Sequence, residues 1–197
     1  MFRFGITGRS GAGKSTVARL FEPYGVVHVD ADKVAHRIYE PGTPCAAELA
    51  AHFGEQILNE DGSINRKILG GIVFSDAQKL AELSRITHRY VRLAIEEIER
   101  EEQAKGAKAL LIDAIALLES GLEGEAVIAV AAPYDLLLHR IMERDGLEEQ
   151  QARQRLNAQK EESYFLSNAD YVVINDSDQE ALQKRVHEIA RELALCE

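Results

Sequence analysis

Apolar residues in this chain gather into a few short β-branched runs, and between the runs they recur at three- and four-residue spacing. The first run is Phe2 to Thr7. A glycine-rich stretch follows, and then Val17, Ala18, Leu20 and Phe21 within Ser15 to Phe21 share one face of a helix. Pro23 and Gly25 close that helix, and Val26-Val27-His28-Val29 forms a second run that stops at Asp30. The opening thirty residues thus predict strand, helix and strand. Runs of the same kind return at Ala107 to Ile112, Ala126 to Ala131 and Tyr171 to Ile174, each followed by helical sequence. Strands alternating with helices predict an α/β fold with a parallel sheet.

The middle third has another character. Between Ala31 and Gly106 no run reads as a buried strand, and helical patterns are punctuated by Pro41-Gly42 and Asp61-Gly62. Leu80, Leu83, Ile86, Tyr90, Val91, Ile95 and Ile98 predict a last helix from about Asp76 to Lys105, in one piece or two. The acidic run Glu96 to Glu102 reads as its solvated face. Further on, Asp135 to Gln159 is charged, with Arg140, Arg144, Arg153 and Arg155 on two helices joined around Asp145-Gly146. Such a feature suits a lid over a nucleotide.

Composition narrows the choices. The 197 residues, 46% hydrophobic and 28% charged, are ordinary for a soluble globular chain and suit one main core with an inserted subdomain. A formal charge of -10 argues against a broad nucleic-acid surface, so any phosphate binding must be local. No apolar run approaches the roughly 20 residues that span a bilayer, and the N-terminal apolar stretch is too short for a signal peptide. The expectation is a cytoplasmic protein without membrane contact. Cys45 and Cys196 form neither a disulfide framework nor a zinc pattern.

The strongest chemical signal is Gly8-Arg9-Ser10-Gly11-Ala12-Gly13-Lys14-Ser15, which has the G-x-x-x-x-G-K-[ST] spacing of a phosphate-binding loop between a strand and a helix. Glycines let successive backbone N–H groups converge on phosphate oxygens at a helix N-terminus. Lys14 supplies a mobile cation for the β- and γ-phosphates, and the Ser15 hydroxyl is placed to ligate Mg²⁺. With glycine at about 7% of residues, a chance match in a chain of this length is on the order of 1%. Arg9, Ser10 and Ala12 read as spacers.

A kinase also needs a carboxylate to orient an acceptor hydroxyl. Asp30 and Asp32 are candidates: Asp30 stops the second strand at the ligand-binding edge of an open parallel sheet, and Asp32 follows at a helix start. Helix capping is the competing role for Asp30. Asp113 closes Ala109-Leu110-Leu111-Ile112, the usual place of an acid that helps hold Mg²⁺, with a strand-end cap as its alternative. A GTPase is excluded: no Asn-Lys-x-Asp is present, and no Asp-x-x-Gly follows Asp113. The histidines, His28, His36, His52, His88, His139 and His187, show no metal-ligand clustering and read as surface or packing residues, with His88 the one kept in view.

Taken together, these residues resemble the dephospho-coenzyme A kinase family. The similarity runs nearly end to end. It rests on Ile6-Thr7-Gly8 and the loop, Asp30-Ala31-Asp32 with Ala35 and Pro41-Gly42, and Asp61-Gly62-Ser63-Ile64-Asn65-Arg66 with Leu69 and Phe74. It continues through Ile86-Thr87-His88, Leu117 to Leu122, Arg140 to Gly146, Gln159 and Asn168 to Asn175. The resemblance implies a three-layer P-loop kinase fold in which residues 1–32, 107–134 and 169–197 form the nucleotide-binding core. Residues 33–106 would be a helical CoA-binding insertion and 135–160 a helical lid.

It further implies transfer of the ATP γ-phosphoryl group to the ribose 3′-hydroxyl of dephospho-CoA. Gly11, Ala12, Gly13, Lys14, Ser15, Thr16 and Asn175 would then bind ATP, with Asn175 near the adenine. Asp32 would orient the hydroxyl, Arg140 would meet the phosphates, and Arg66 and His88 would belong to the acceptor side. Two departures fall near the expected acceptor region: Arg89 stands where the family has proline after His, and Ile115-Ala116-Leu117-Leu118-Glu119 replaces Pro-Leu-Leu-Phe-Glu. The rival readings are another small-molecule P-loop kinase and a silent ATP-binding module. Oligomeric state has no sequence signature here.

Overall fold

Five strands, Phe2–Thr7 (β1), Val26–Asp30 (β2), Ala109–Asp113 (β3), Val127–Ala131 (β4) and Tyr171–Ile174 (β5), pair in parallel in the order β2-β3-β1-β4-β5. The computed structural model describes residues 1–114, 117–122, 124–176 and 178–196, with Glu119 described by its backbone alone. Every residue of β3 and β4 is buried, which explains why their sequences, ALLID and VIAVA, are apolar without alternation. Register aligns Ile6 and Asp30 with Asp113, so three strands end in one row at the carboxyl edge. The connection from β3 passes β1 to reach β4. The carboxyl ends of β1 and β3 therefore flank the topological switch point, where open parallel sheets bind ligands.

The chain divides into two compact units, residues 1–30 with 99–197, and residues 31–98. The first holds the sheet and the helices Lys14–Leu20 (α1), Leu117–Ser120 (α6), Tyr134–Asp145 (α7), Glu149–Asn157 (α8), Glu162–Ser167 (α9) and Gln179–Glu192 (α10). Phe4, Ile6 and Leu111 from the strands pack with Val17, Phe21, Leu137, Ile141, Leu156, Leu182 and Ile189 in one core cluster. Caps set the ends of these helices. Asp178 accepts from the Ala181 amide at the start of α10, and Glu148 with Gln151 forms a capping box on α8.

The second unit contains Ala31–Arg37 (α2), Pro44–Phe53 (α3), Arg66–Val73 (α4) and most of Ala77–Ala104 (α5), which continues into the first unit from Glu99. Thr43 caps α3 and Asn65 caps α4 through side-chain oxygens that accept from Ala46 and Ile68 amides. The turn before α4 is closed by Asp61, which accepts from both the amide and the hydroxyl of Ser63 at 2.9 and 2.6 Å.

Two expectations about α5 are decided. It is one unbroken helix of 28 residues, and Arg89 at its middle has the backbone N–H that a proline would lack. Arg89 also donates to Glu48 and lies over the Tyr90 ring at 4.9 Å, while the Tyr90 hydroxyl donates to Glu48 at 2.7 Å. The acidic run is not wholly a solvated face. Glu99 is 15% exposed and accepts from Arg3 of β1, with the N-terminal ammonium at 3.6 Å. Charge on β1 recruits that carboxylate from the run. No helix of the described residues is long and apolar enough to cross a membrane.

Candidate active site

The loop between β1 and α1 depends on missing side chains. Gly13 has φ +89°, and a Cβ there would lie 2.1 Å from Asn175 Nδ2. A Cβ on Gly8 would lie 2.3 Å from the Val130 carbonyl oxygen, because the chain leaves β1 directly over the end of β4. The helix that follows starts at Lys14 with Gly13 at its N-cap, no side-chain cap and no acid in its first turn. That leaves its leading N–H groups available to an anion. Lys14 folds back across the loop and donates to the Gly8 carbonyl at 3.1 Å. Ser15 presents its side chain to solvent, and Thr16 is partly exposed.

Asn175, just past β5, is buried, and its amide nitrogen donates to the Ala12 carbonyl at 2.8 Å. Arg140 of α7 reaches the same spot, donating to the carbonyls of Gly11 at 3.3 Å and Asn175 at 3.2 Å, and to Asn175 Oδ1 at 3.4 Å. These two residues brace the loop through the Gly11 and Ala12 carbonyls. Arg144 and Arg155 instead bond Asp145, and Arg153 bonds Glu149. Arg9, expected to be a spacer, is a tether. Its guanidinium donates to the Leu156 carbonyl at 2.7 Å, at the end of α8, and the Ser10 amide donates to Gln159 Oε1 at 2.9 Å. Arg9 and Arg153 both lie 5.8 Å from the Tyr134 ring centre. A cavity of about 310 Å³ lies beside this tether, between Arg9, Tyr134, Glu162 and Ile174.

At the carboxyl edge, Asp30 and Asp113 are register partners on adjacent strands, and His28 Nε2 stands 3.6 Å from Asp113 Oδ2 with no hydrogen-bond partner among the described residues. The Ser15 hydroxyl and these carboxylates are hard oxygen donors of the kind Mg²⁺ takes. Among the described residues no group of three or more His, Cys, Asp or Glu is placed to hold a metal.

In the second unit, Asp32 sits exposed in the first turn of α2, which begins directly after β2. His36, one turn on, joins its Nδ1 to the Asp32 carbonyl at 2.8 Å and its Nε2 to Arg66 Nη1 at 2.9 Å. The Arg66 guanidinium lies 5.0 Å over the Tyr39 ring, and the Tyr39 hydroxyl meets Thr87 Oγ1 at 3.2 Å. Burial raises the Tyr39 pKa, so the phenol stays protonated across the working range. His88, next to Thr87 on α5, is exposed.

The dephospho-CoA kinase (CoaE) family model matches residues 2–181. The chain belongs to the dephospho-CoA kinase family. A dephospho-CoA kinase of Thermobifida fusca is 38% identical over 195 residues, covering 98% of this chain and 96% of that protein. One from Anaeromyxobacter dehalogenans is 41% identical over 191 residues, covering 96% and 90%. Among solved structures, dephospho-CoA kinase from Campylobacter jejuni superposes with a TM-score of 0.64 at 28% identity, covering 97% of this chain and 96% of that one. The Thermus thermophilus protein TT1252 gives 0.77 at 32%, covering 98% and 97%. A Bacteroides thetaiotaomicron shikimate kinase, at 17% identity and a TM-score of 0.51 with 98% of each chain covered, shares the fold.

Within this member of the dephospho-CoA kinase family, the expected residues divide between the units. Gly11, Ala12, Gly13, Lys14, Ser15, Thr16, Arg140 and Asn175 belong to the first, and Asp32, Arg66 and His88 to the second. Of the two departures from the family pattern, Ile115 and Ala116 lie outside the described residues. Sequence reasoning passed over Arg9, His28 and His36. Arg9 occupies a variable position of the motif, and the histidines show no metal-ligand clustering, so no local pattern marks them.

Proposed function

We propose that this chain transfers the γ-phosphoryl group of ATP to the ribose 3′-hydroxyl of dephospho-CoA, giving coenzyme A and ADP in the cytoplasm. Dephospho-CoA kinase activity, the final step of coenzyme A biosynthesis, follows from family membership. The observation that carries the reading furthest is the glycine loop at the switch point, whose Gly11 and Ala12 carbonyls are held by Arg140 and Asn175.

In this reading residues Gly11 to Thr16 hold the ATP phosphates, while Lys14 and Arg140 offset the charge that builds as the γ-phosphoryl group moves. Asp32 accepts the hydrogen bond of the 3′-hydroxyl and aligns its oxygen in line with the phosphorus. Ser15, supported by Asp113, would hold Mg²⁺, which when bound neutralises charge on the β- and γ-oxygens. Arg66 and His88 meet the acceptor, residues 33–106 receive the CoA moiety, and residues 135–160 close over ATP and exclude water.

An ADP-release assay with Mg²⁺ and ATP tests this, comparing dephospho-CoA with adenosine, AMP and shikimate. The expected result is turnover with dephospho-CoA alone and a product heavier by one phosphate. Turnover with another acceptor, or ATP binding without transfer to dephospho-CoA, would overturn it.

A further inference from the structure

We propose that His36 is a positioning residue for the acceptor, holding the Arg66 guanidinium in place while its own ring is anchored on the backbone of Asp32. The proposal rests on the reading above in which Arg66 meets the acceptor. The bonding follows from donor accounting. A guanidinium has donors only, so His36 Nε2, 2.9 Å from Arg66 Nη1, must be the acceptor. The ring proton is then on Nδ1, which donates to the Asp32 carbonyl at 2.8 Å. The two contacts select one tautomer between them.

Arg66 is fixed from a second direction by the Tyr39 ring under its guanidinium at 5.0 Å, and Tyr39 is itself held by Thr87. An edge contact and a face contact together define the plane of the fork. With Nη1 committed to His36, Nη2 and Nε remain to receive an anion, and the side chain is exposed where an anionic acceptor can reach it. Through one imidazole, the chain ties the backbone of the hydroxyl-orienting Asp32 to the acceptor-binding Arg66, both within residues 31–98. His36 touches no reacting atom; it acts through Arg66.

The test uses the full chain, three single variants and one double variant. His36→Ala should raise the KM for dephospho-CoA about fivefold, the effect of one lost hydrogen bond, with kcat and the KM for ATP within about twofold. His36→Gln, whose amide oxygen can stand near the Nε2 position, should restore the KM. In an Arg66→Ala background His36→Ala should add nothing. Independently, ring ¹⁵N shifts of His36 should show an unprotonated Nε2 in the wild type, and that preference should disappear in Arg66→Ala. Unchanged acceptor KM in His36→Ala, alongside a raised KM in Arg66→Ala, would overturn the positioning role and leave the Arg66 reading intact. Unchanged KM in Arg66→Ala with the expected ring tautomer would instead overturn the acceptor role of Arg66, and the inference with it. An Nε2-protonated ring would overturn the bonding whatever the kinetics.

Discussion

The two units of this kinase hold their polar groups by different means. Around the phosphate loop, the fixed points are backbone atoms: carbonyls of Gly8, Gly11, Ala12 and Asn175 receive Lys14, Arg140 and the Asn175 amide, and Gly8, Gly11 and Gly13 sit where no Cβ fits. In residues 31–98 the candidate groups are linked mainly through side chains: exposed His36 joins the Asp32 carbonyl to exposed Arg66, and Arg66 lies over part-buried Tyr39, which meets Thr87. A ligand common to many kinases can be met by backbone geometry, which tolerates little change. In the proposed reading, an acceptor particular to one family is met by side chains, which can be exchanged.

The largest effect that would break this comparison lies at the acceptor hydroxyl. Asp32→Asn should lower kcat by about 10²- to 10⁴-fold and leave ATP affinity within about twofold, read by turnover and by calorimetry. Unchanged turnover would remove Asp32 from the reaction. Next comes the loop itself. Gly13→Ala places a methyl group against the Asn175 amide in a left-handed backbone, so ATP affinity should fall about 100-fold while dephospho-CoA affinity stays nearly constant.

Asn175→Ala is expected to raise the KM for ATP about tenfold, because it strands the buried Ala12 carbonyl and loosens Arg140. A change confined to the acceptor KM would assign Asn175 to the other side. Arg9→Ala should have a smaller effect, about threefold on the KM for ATP, since Gln159 still holds the Ser10 amide. The smallest effect concerns Cys45. Burial pushes its thiol up to about 12, so in the folded protein it should resist a thiol reagent that labels partly exposed Cys196. The folded pKa lies above the ordinary thiol value of 9.0, so the stability gained by keeping the thiol neutral is present below pH 9.0 and is lost as pH rises toward 12.

How much of this was legible in the sequence follows the same division. Continuous apolar runs marked all five strands, and Tyr171–Ile174 falls on the expected residues because both its ends are turn sequence. The loop was legible because its chemistry demands glycine at fixed spacing, and Arg140 and Asn175 came with the family resemblance. Side-chain partnerships between distant segments were not legible. Arg9 meets Leu156, Glu99 meets Arg3, and His36 meets Arg66, pairs separated by 147, 96 and 30 residues, so no window along the chain contains both members. The extent of α5 is close to the expected Asp76 to Lys105, but whether it is one piece or two is not readable from periodicity, which a short break would leave in place; the backbone runs unbroken from Ala77 to Ala104.

The central claim is the identity of the phosphorylated atom. The most direct test is ³¹P NMR of the product formed from dephospho-CoA, ATP and Mg²⁺ by the wild-type chain. The account predicts one new phosphomonoester resonance coupled to the ribose 3′ proton, formed together with ADP. ADP release without a new ester, or an ester at any other hydroxyl, would contradict it.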